Sequence, residues 1–252
     1  MDRPDSIRSS LRSAFDSIAR DYDKWYTTPL GSLCDYLERE AIFSLTDIIP
    51  GMKALDVSCG TGNYALELSR QGADVTAVDP SEAMLEIAKS KAKREGIKVR
   101  FAHGLSESLP FPEETFDLVT CVLGLEFVNS GVKAFREMLR VLKPQGQLVI
   151  GALGRYNLWA VLRKLKGLFF NSIWKRATFF NKKELQNLVL HQRGIITGLR
   201  SAIYFPPLNW PWFLNRFRHL EKLGQRLFPS LGVFLAVRIE KVKATKVTNE
   251  RR

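Results

Sequence analysis

Asp79 is the carboxylate whose surroundings point most directly to a chemistry. It closes an apolar run, Val75 to Val78, and an earlier run, Ala54 to Val57, carries a second acid, Asp56. Between the two runs lie a tight turn, Cys59-Gly60-Thr61-Gly62, and a helical pattern with Tyr64, Leu66 and Leu68 near its start, which Gly72 stops. Continuous short apolar runs read as buried parallel strands. Strand, tight glycine turn, helix, strand and terminal acid make one β-α-β nucleotide-binding unit. The glycines let backbone pass close to a ligand where a Cβ would clash. The acid at the second strand end can accept hydrogen bonds from a ribose diol. From this unit alone, a Rossmann-like protein using some other nucleotide stays open.

Positioning such a turn takes an open sheet, and the rest of the chain supplies the pattern for one. Residues 7–26 read as helical, then irregular, with Phe15, Ile18, Ala19 and Tyr22 at helical spacing. Leu33, Leu37, Ala41 and Leu45 mark a second amphipathic helix, and Pro50-Gly51 a turn before the first strand. Ser81 suits the N-cap of a helix that runs to about Arg94 and ends at Gly96. Val99 to Ala102 predicts strand three, Leu118 to Val122 strand four, and Leu148 to Leu153 strand five, with a helix over 132–142 between the last two. Pro110 predicts a loop before strand four. Ligands of open α/β sheets bind at the carboxyl ends of the strands, where Leu123 to Val128 follow strand four. Glu126 there can orient a basic acceptor, act as a base or pair structurally with an arginine.

Beyond strand five the pattern changes. Leu158, Val161, Leu162, Leu165, Leu168 and Phe169 recur on one helical face, with Arg163, Lys164 and Lys166 on the other. Three readings stand: a cap over an acceptor pocket, an interfacial helix lying on a membrane, or a helix packed on the parent domain. Asn181 with Glu184 three residues on predicts a capped helix to about His191, stopped by Gly194. Strand six is expected over 195–204 and the last strand over 231–239. Between them, residues 205–213 are rich in aromatics and proline, and Arg216, Arg218, His219 and Lys222 form a basic cluster. The expected divisions are an N-terminal helical segment (1–50), a core (51–154), a cap insertion with its helix (155–193), C-terminal strands with an aromatic and basic insertion (194–240), and a basic tail (241–252).

Composition narrows the setting. The 252 residues carry 38 Lys plus Arg against 26 Asp plus Glu, a net charge of +12 that suits nucleic acid, anionic lipid, an acidic substrate or only solvent. Cys34, Cys59 and Cys121 form no C-x-x-C pair, so no disulfide framework or thiol redox motif is expected. His103, His191 and His219 are too dispersed for a metal-site pattern, and no metal is expected. The start lacks a secretory apolar core, and no apolar run is long enough to span a bilayer. These features predict a cytoplasmic protein, with peripheral membrane contact through 158–170 and 205–223 open.

The stretch D-x-x-C-G-T-G from Asp56, followed by V-x-x-V-D ending at Asp79, resembles the first two motifs of class I S-adenosylmethionine-dependent methyltransferases. G-L-S-E-S-L-P-F-P-E-E-T-F-D-L-V from Gly104 resembles the G-D-A-x-x-L-P-F-x-x-x-x-F-D-x-V pattern of the quinone, sterol and related small-molecule branch. Leu105 replaces an acid there, and Gln145 replaces a glycine in R-x-L-K-P-G-G. The aromatic leader around Tyr22, Trp25 and Tyr26 resembles the one that closes over the site in such enzymes. The resemblance implies an α/β Rossmann-like seven-stranded sheet, helices on both faces and an antiparallel final strand, with a helical and aromatic cap after strand five. It implies S-adenosyl-L-methionine as cofactor and a small, apolar or lipid-like acceptor. Cofactor contacts would come from Tyr22, Asp56, Ser58, Gly60, Thr61, Gly62, Asp79, Pro80, Met84, Gly104, Leu105, Ser106 and Leu123. In this reading Asp56 bears on the methionine portion, Asp79 on the ribose hydroxyls and Met84 on the adenine side, with Ser106 or Glu107 standing in for the missing acid. The polar candidates for catalysis are Tyr22, Tyr26, Glu126, Tyr156 and His219. An RNA methyltransferase and a non-catalytic cofactor-binding protein are the alternatives. Against the first, the N-P-P-[YF] pattern of amino-group enzymes is missing, and Pro206-Pro207 lies too late in the chain.

Overall fold

The computed structural model describes residues 5–242 apart from 171, 191, 193, 211–213 and 215–220. Seven strands form one sheet in the order β3-β2-β1-β4-β5-β7-β6. The parallel strands are β1 (Lys53–Val57), β2 (Asp74–Asp79), β3 (Val99–His103), β4 (Phe116–Val122) and β5 (Leu142–Leu153). Strands β6 (Gly194–Ala202) and β7 (Phe234–Lys241) close the far edge, with β7 antiparallel to both neighbours. Strand order reverses between β1 and β4, the switch point where open α/β sheets bind ligands. The seven strands, their mixed direction and the helical insertion after β5 match the sequence expectation.

Helices cover both faces because the central strands are apolar on both. Helix α2 (Pro29–Phe43) packs Leu33, Leu37 and Ile42 over one face, with Leu68 of α3 (Asn63–Arg70) and Leu85 of α4 (Glu82–Glu95). On the other face α5 (Gly131–Val141) and α7 (Lys182–Leu190) bring Phe135, Met138, Leu185 and Val189 onto Leu55, Val119 and Ile150. Helix α1 (Asp5–Tyr22) and a 3-10 turn, Asp23–Thr27, precede α2, and helix α6 (Leu158–Phe169) follows β5. The Asn181 and Glu184 side chains cap α7 reciprocally, each accepting from the other's backbone N–H at 3.0 and 2.9 Å.

The motif residues away from the ligand edge are structural fasteners. Arg140 donates to the Phe111 and Leu109 carbonyls at 2.8 and 3.0 Å, while Glu137 accepts from the Leu109 N–H, so the L-P-F loop is tied to α5. Asp117 accepts from the Lys53 N–H and from Lys143, joining the starts of β1, β4 and β5.

Several strand boundaries differ from expectation: β4 starts two residues early at Phe116, and β6 ends two residues early at Ala202. Strand β5 begins at Leu142, which pairs with Phe116 before the register shifts, and Gln145 takes the left-handed conformation that the replaced glycine would adopt (φ 66°). Strand β7 runs Phe234–Lys241, because Val233 instead bonds through its N–H to the Ile203 carbonyl.

Candidate active site

A cavity of about 460 Å³ opens at the carboxyl ends of β1, β2 and β4. Its floor is the turn after β1. Ser58, Gly60 and Gly62 all have positive φ, and a Cβ on Gly60 would meet no protein atom within 4 Å. Ser58 pays about 1 kcal/mol for a left-handed conformation that glycine adopts freely. Its hydroxyl is held by Ser106 at 2.9 Å, and Gly124 packs so close that a Cβ there would lie 2.6 Å from the Ser58 Cβ. Leu123, also left-handed (φ 55°), turns the chain off β4 onto the same wall.

Asp79 faces this turn from the end of β2. Its two oxygens accept from the Gly60 N–H at 2.8 Å and the Ser81 N–H at 2.9 Å, which fixes the carboxylate plane. Burial pushes its pKa up to about 6; those two backbone donors pull the other way, and Asp16 adds a smaller upward push. Unused lone pairs remain to accept from a diol. Pro80, Met84, Leu105 and Ser106 line the adjoining wall, and the His103 ring donates to the Pro80 carbonyl at 3.0 Å. The fit to a nucleoside with a short tail rests on this pairing: a rigid acceptor beside a turn with open space where a side chain would stand.

The N-terminal segment closes the cavity and is fastened by charge. Asp23 accepts from Thr61 at 2.7 Å and from Lys91 at 2.9 Å, and Asp16 accepts from the Ser81 hydroxyl. These bonds bring Tyr22 and Tyr26 onto the cavity wall with ring centroids 6.0 Å apart. Phe15 meets Phe127 edge-on at 4.9 Å to complete that side. Burial pushes the Tyr22 phenol up to about 12 despite relief from the neighbouring Tyr26 hydroxyl, and burial holds Tyr26 well above its ordinary value. Both therefore keep their protons at neutral pH, with the Tyr26 hydroxyl donating to Tyr22. Cys59 lines the cavity too, with its thiol held protonated by burial.

Several expected residues stand off the wall. Asp56 is buried behind the turn, where Thr120 donates to it at 2.8 Å; burial first, with Thr120 opposing, sets its pKa at about 7. Gly62 packs against the Ala88 Cβ, and Gly104 lies where a Cβ would strike Val78 and Pro110. Glu126 is fully buried but turned away from the cavity. One oxygen accepts from the Leu153 N–H, and burial raises its pKa to about 7. Tyr156 is 63% exposed outside the cavity. His219, with Arg216 and Arg218, lies outside the described residues.

Sequence reasoning did not place Asn63, Tyr64, Phe127 and Asn129 on this wall. Tyr64 and Asn63 open the helix after the glycine turn, so their nearness to the ligand was readable from the turn itself. Phe127 and Asn129 follow a left-handed break at Leu123, which no local pattern announces.

A methyltransferase-domain family profile matches residues 55–150. A Staphylococcus aureus demethylmenaquinone methyltransferase is 33% identical over 174 residues, covering 66% of this chain and 69% of that protein. Among solved structures, an S-adenosylmethionine-dependent methyltransferase from Thermotoga maritima superposes with a TM-score of 0.70 at 22% identity, over 92% of this chain and 100% of that one. One from Mesorhizobium loti gives 0.62 at 20% identity, over 82% and 99%. At these identities the structures speak for the fold.

Proposed function

The chain is a class I S-adenosylmethionine-dependent methyltransferase, and on that premise we propose that it methylates a small, apolar, quinone-like acceptor. The observation that carries this reading is the makeup of the cavity's far end. Phe15, Tyr22, Tyr26, Leu123, Phe127 and Val128 surround it, and the nearest charged group in the lining, Glu107, accepts from the Asn129 N–H at 2.8 Å. Such a surface desolvates a planar apolar ring well and an ammonium or phosphate poorly. A relative that acts on demethylmenaquinone supports the same class.

In this reading Asp79 holds the ribose diol, the turn from Ser58 through Thr61 admits the amino-acid tail, and Met84 and Ser106 flank the base. Bound there, the cofactor supplies an electrophilic methyl group, so the protein's main task is alignment and exclusion of water. Tyr22, whose oxygen accepts from the Tyr26 hydroxyl, donates to the acceptor's oxygen and stabilises the negative charge left once the quinol has lost its proton to solvent. The test is transfer of labelled methyl from the cofactor to a short-chain reduced demethylmenaquinone, with histamine as a cationic counter-example. Transfer to the amine but not the quinol would sink the proposal.

Membrane contact through 158–170 and 205–223 belongs to the same proposal, with residues 155–193 as the cap. Helix α6 is mounted with its apolar face outward: Val161, Leu162, Leu165, Leu168 and Phe169 are 43 to 77% exposed. At about 100° per residue, Lys164 and Lys166 fall on the two margins of that face, where their stems can lie along lipid and their charges reach headgroups. Between 155 and 183 the chain has eight Lys or Arg and no Asp or Glu. Trp210 and Leu223 are exposed as well. Flotation with vesicles containing phosphatidylglycerol should capture the protein, and Leu168→Glu with Phe169→Glu should release it; equal flotation of both would remove this part of the reading.

A further inference from the structure

The inward side of α6 carries a residue that the active site does not use. Arg163 lies by periodicity opposite the apolar stripe, and its guanidinium carbon sits 5.0 Å from the Trp159 ring centroid and 4.7 Å from that of Trp174. Two buried carboxylates, Glu38 on α2 and Glu126 after β4, act on it electrostatically. Gly167, one turn on, lets α6 approach closely: a Cβ there would lie 2.6 Å from the Lys175 backbone nitrogen.

Each partner of Arg163 leads to a cavity wall. Glu38 interacts electrostatically with Tyr22 and Tyr26. Glu126 precedes Phe127, and its carbonyl accepts from the Thr178 N–H at 2.9 Å. Trp174 lies 6.2 Å from Phe127 and 6.4 Å from Phe179, so the indole over Arg163 also backs the ring that faces the acceptor. One oxygen of Glu126 has no hydrogen-bond partner among the described residues. A carboxylate left that way in a dry interior is costly unless a cation stands near it.

We propose that Arg163 is a positioning residue: from the cap helix, held between two indoles, it sets the Tyr22–Tyr26 wall and the Phe127 wall at the spacing the acceptor needs. This rests on the reading of that end as the acceptor side, and it adds a link between the membrane-facing helix and acceptor binding. A planar guanidinium between two aromatic faces is a geometry that lysine does not reproduce.

The experiment compares wild type with Arg163→Met, Arg163→Lys and Trp174→Leu, each saturated with S-adenosylhomocysteine. Menadione binding is followed by quenching of tryptophan fluorescence, and S-adenosylhomocysteine affinity by calorimetry. The expected result is an about fivefold or greater weakening of menadione binding, as loss of a desolvated cation–aromatic contact gives, with cofactor-product affinity held within about twofold. A role in folding alone would lower the melting temperature and leave the ratio of the two affinities unchanged, which overturns the proposal. Trp174→Leu leaves the buried charges in place and gives the answer if Arg163→Met does not fold. Wild type that binds no menadione and methylates no quinol sinks the acceptor reading; wild type that does, with variants that match it, sinks only the assignment to Arg163.

Discussion

The cavity's two ends are built from different materials: backbone at Asp79, side chains at Phe127. Near Asp79, three consecutive strand ends, a left-handed turn and two N–H groups on one carboxylate define the shape. Around Phe127, four aromatic rings come from the N-terminal helical segment and the loop after β4, and a fifth, Trp174, backs them from the cap. Backbone geometry tolerates little change, so the first end should keep one ligand. Side-chain walls can be repacked, so the second is where a fold of this kind can change acceptors.

Breaking the first end should have the largest effect. Asp79→Ala removes the rigid acceptor and frees the Gly60 and Ser81 N–H groups together. Cofactor affinity should fall about 100-fold or more, as losing charge-assisted hydrogen bonds of about 1.5–3 kcal/mol each implies. Calorimetry with S-adenosylhomocysteine measures it; affinity within a few-fold of wild type would mean the ribose is held elsewhere.

Proton uptake sharpens the same contrast. With the Asp79 pKa at about 6, a diol that donates to the ionised carboxylate should bind about tenfold more weakly at pH 5 than at pH 7. Folding runs the other way. The folded pKa lies above the unfolded one, so this group's contribution to stability is fully present below about pH 4 and is lost as pH rises through about 6. Binding that strengthens while this stability term fades, over the same pH window, is the signature. Asp79→Asn should flatten the binding profile.

The difference in materials also explains what could be read in advance. Gly60, Asp79 and the strands around them obey short-range rules, and the sheet with its closing antiparallel strand followed from them. Glu126 was placed near the site by chain position, but Leu123's left-handed turn rotates its side chain into the interior and presents Phe127 instead. Helical periodicity sets Arg163 opposite the apolar stripe without saying which side faces the domain, and two indoles and two buried carboxylates on distant segments decide it. Both placements depend on tertiary partners that no window of sequence contains.

At the second end, Phe127→Ala should raise the acceptor KM about tenfold, the scale of a lost aromatic contact and its buried area, with cofactor affinity unchanged. Parallel loss of both would erase the distinction between the ends. The fasteners between the ends should give a smaller, kinetic effect. Lys91→Met leaves Asp23 with Thr61 but without its cation. Stopped-flow release of S-adenosylhomocysteine should quicken by about three- to fivefold, the worth of a partly exposed ion pair.

The smallest effect tests whether backbone strain is confined to the site. Gln145 lies outside the cavity, at the start of β5, with φ 66°. Unlike Ser58, it is not part of the cavity lining. Replacing it by glycine relieves about 1 kcal/mol of left-handed strain, and glycine's greater freedom in the unfolded chain returns part of that. A net gain of about 0.5 kcal/mol should raise the melting temperature by about 1–2 °C and leave both ligands' affinities alone. Ser58→Gly relieves the same kind of strain but also gives up the hydroxyl contact with Ser106, so it should change cofactor affinity where Gln145→Gly does not. If the two substitutions behave alike, the left-handed turn at Ser58 is only part of the chain's folding and has no separate part in shaping the cavity.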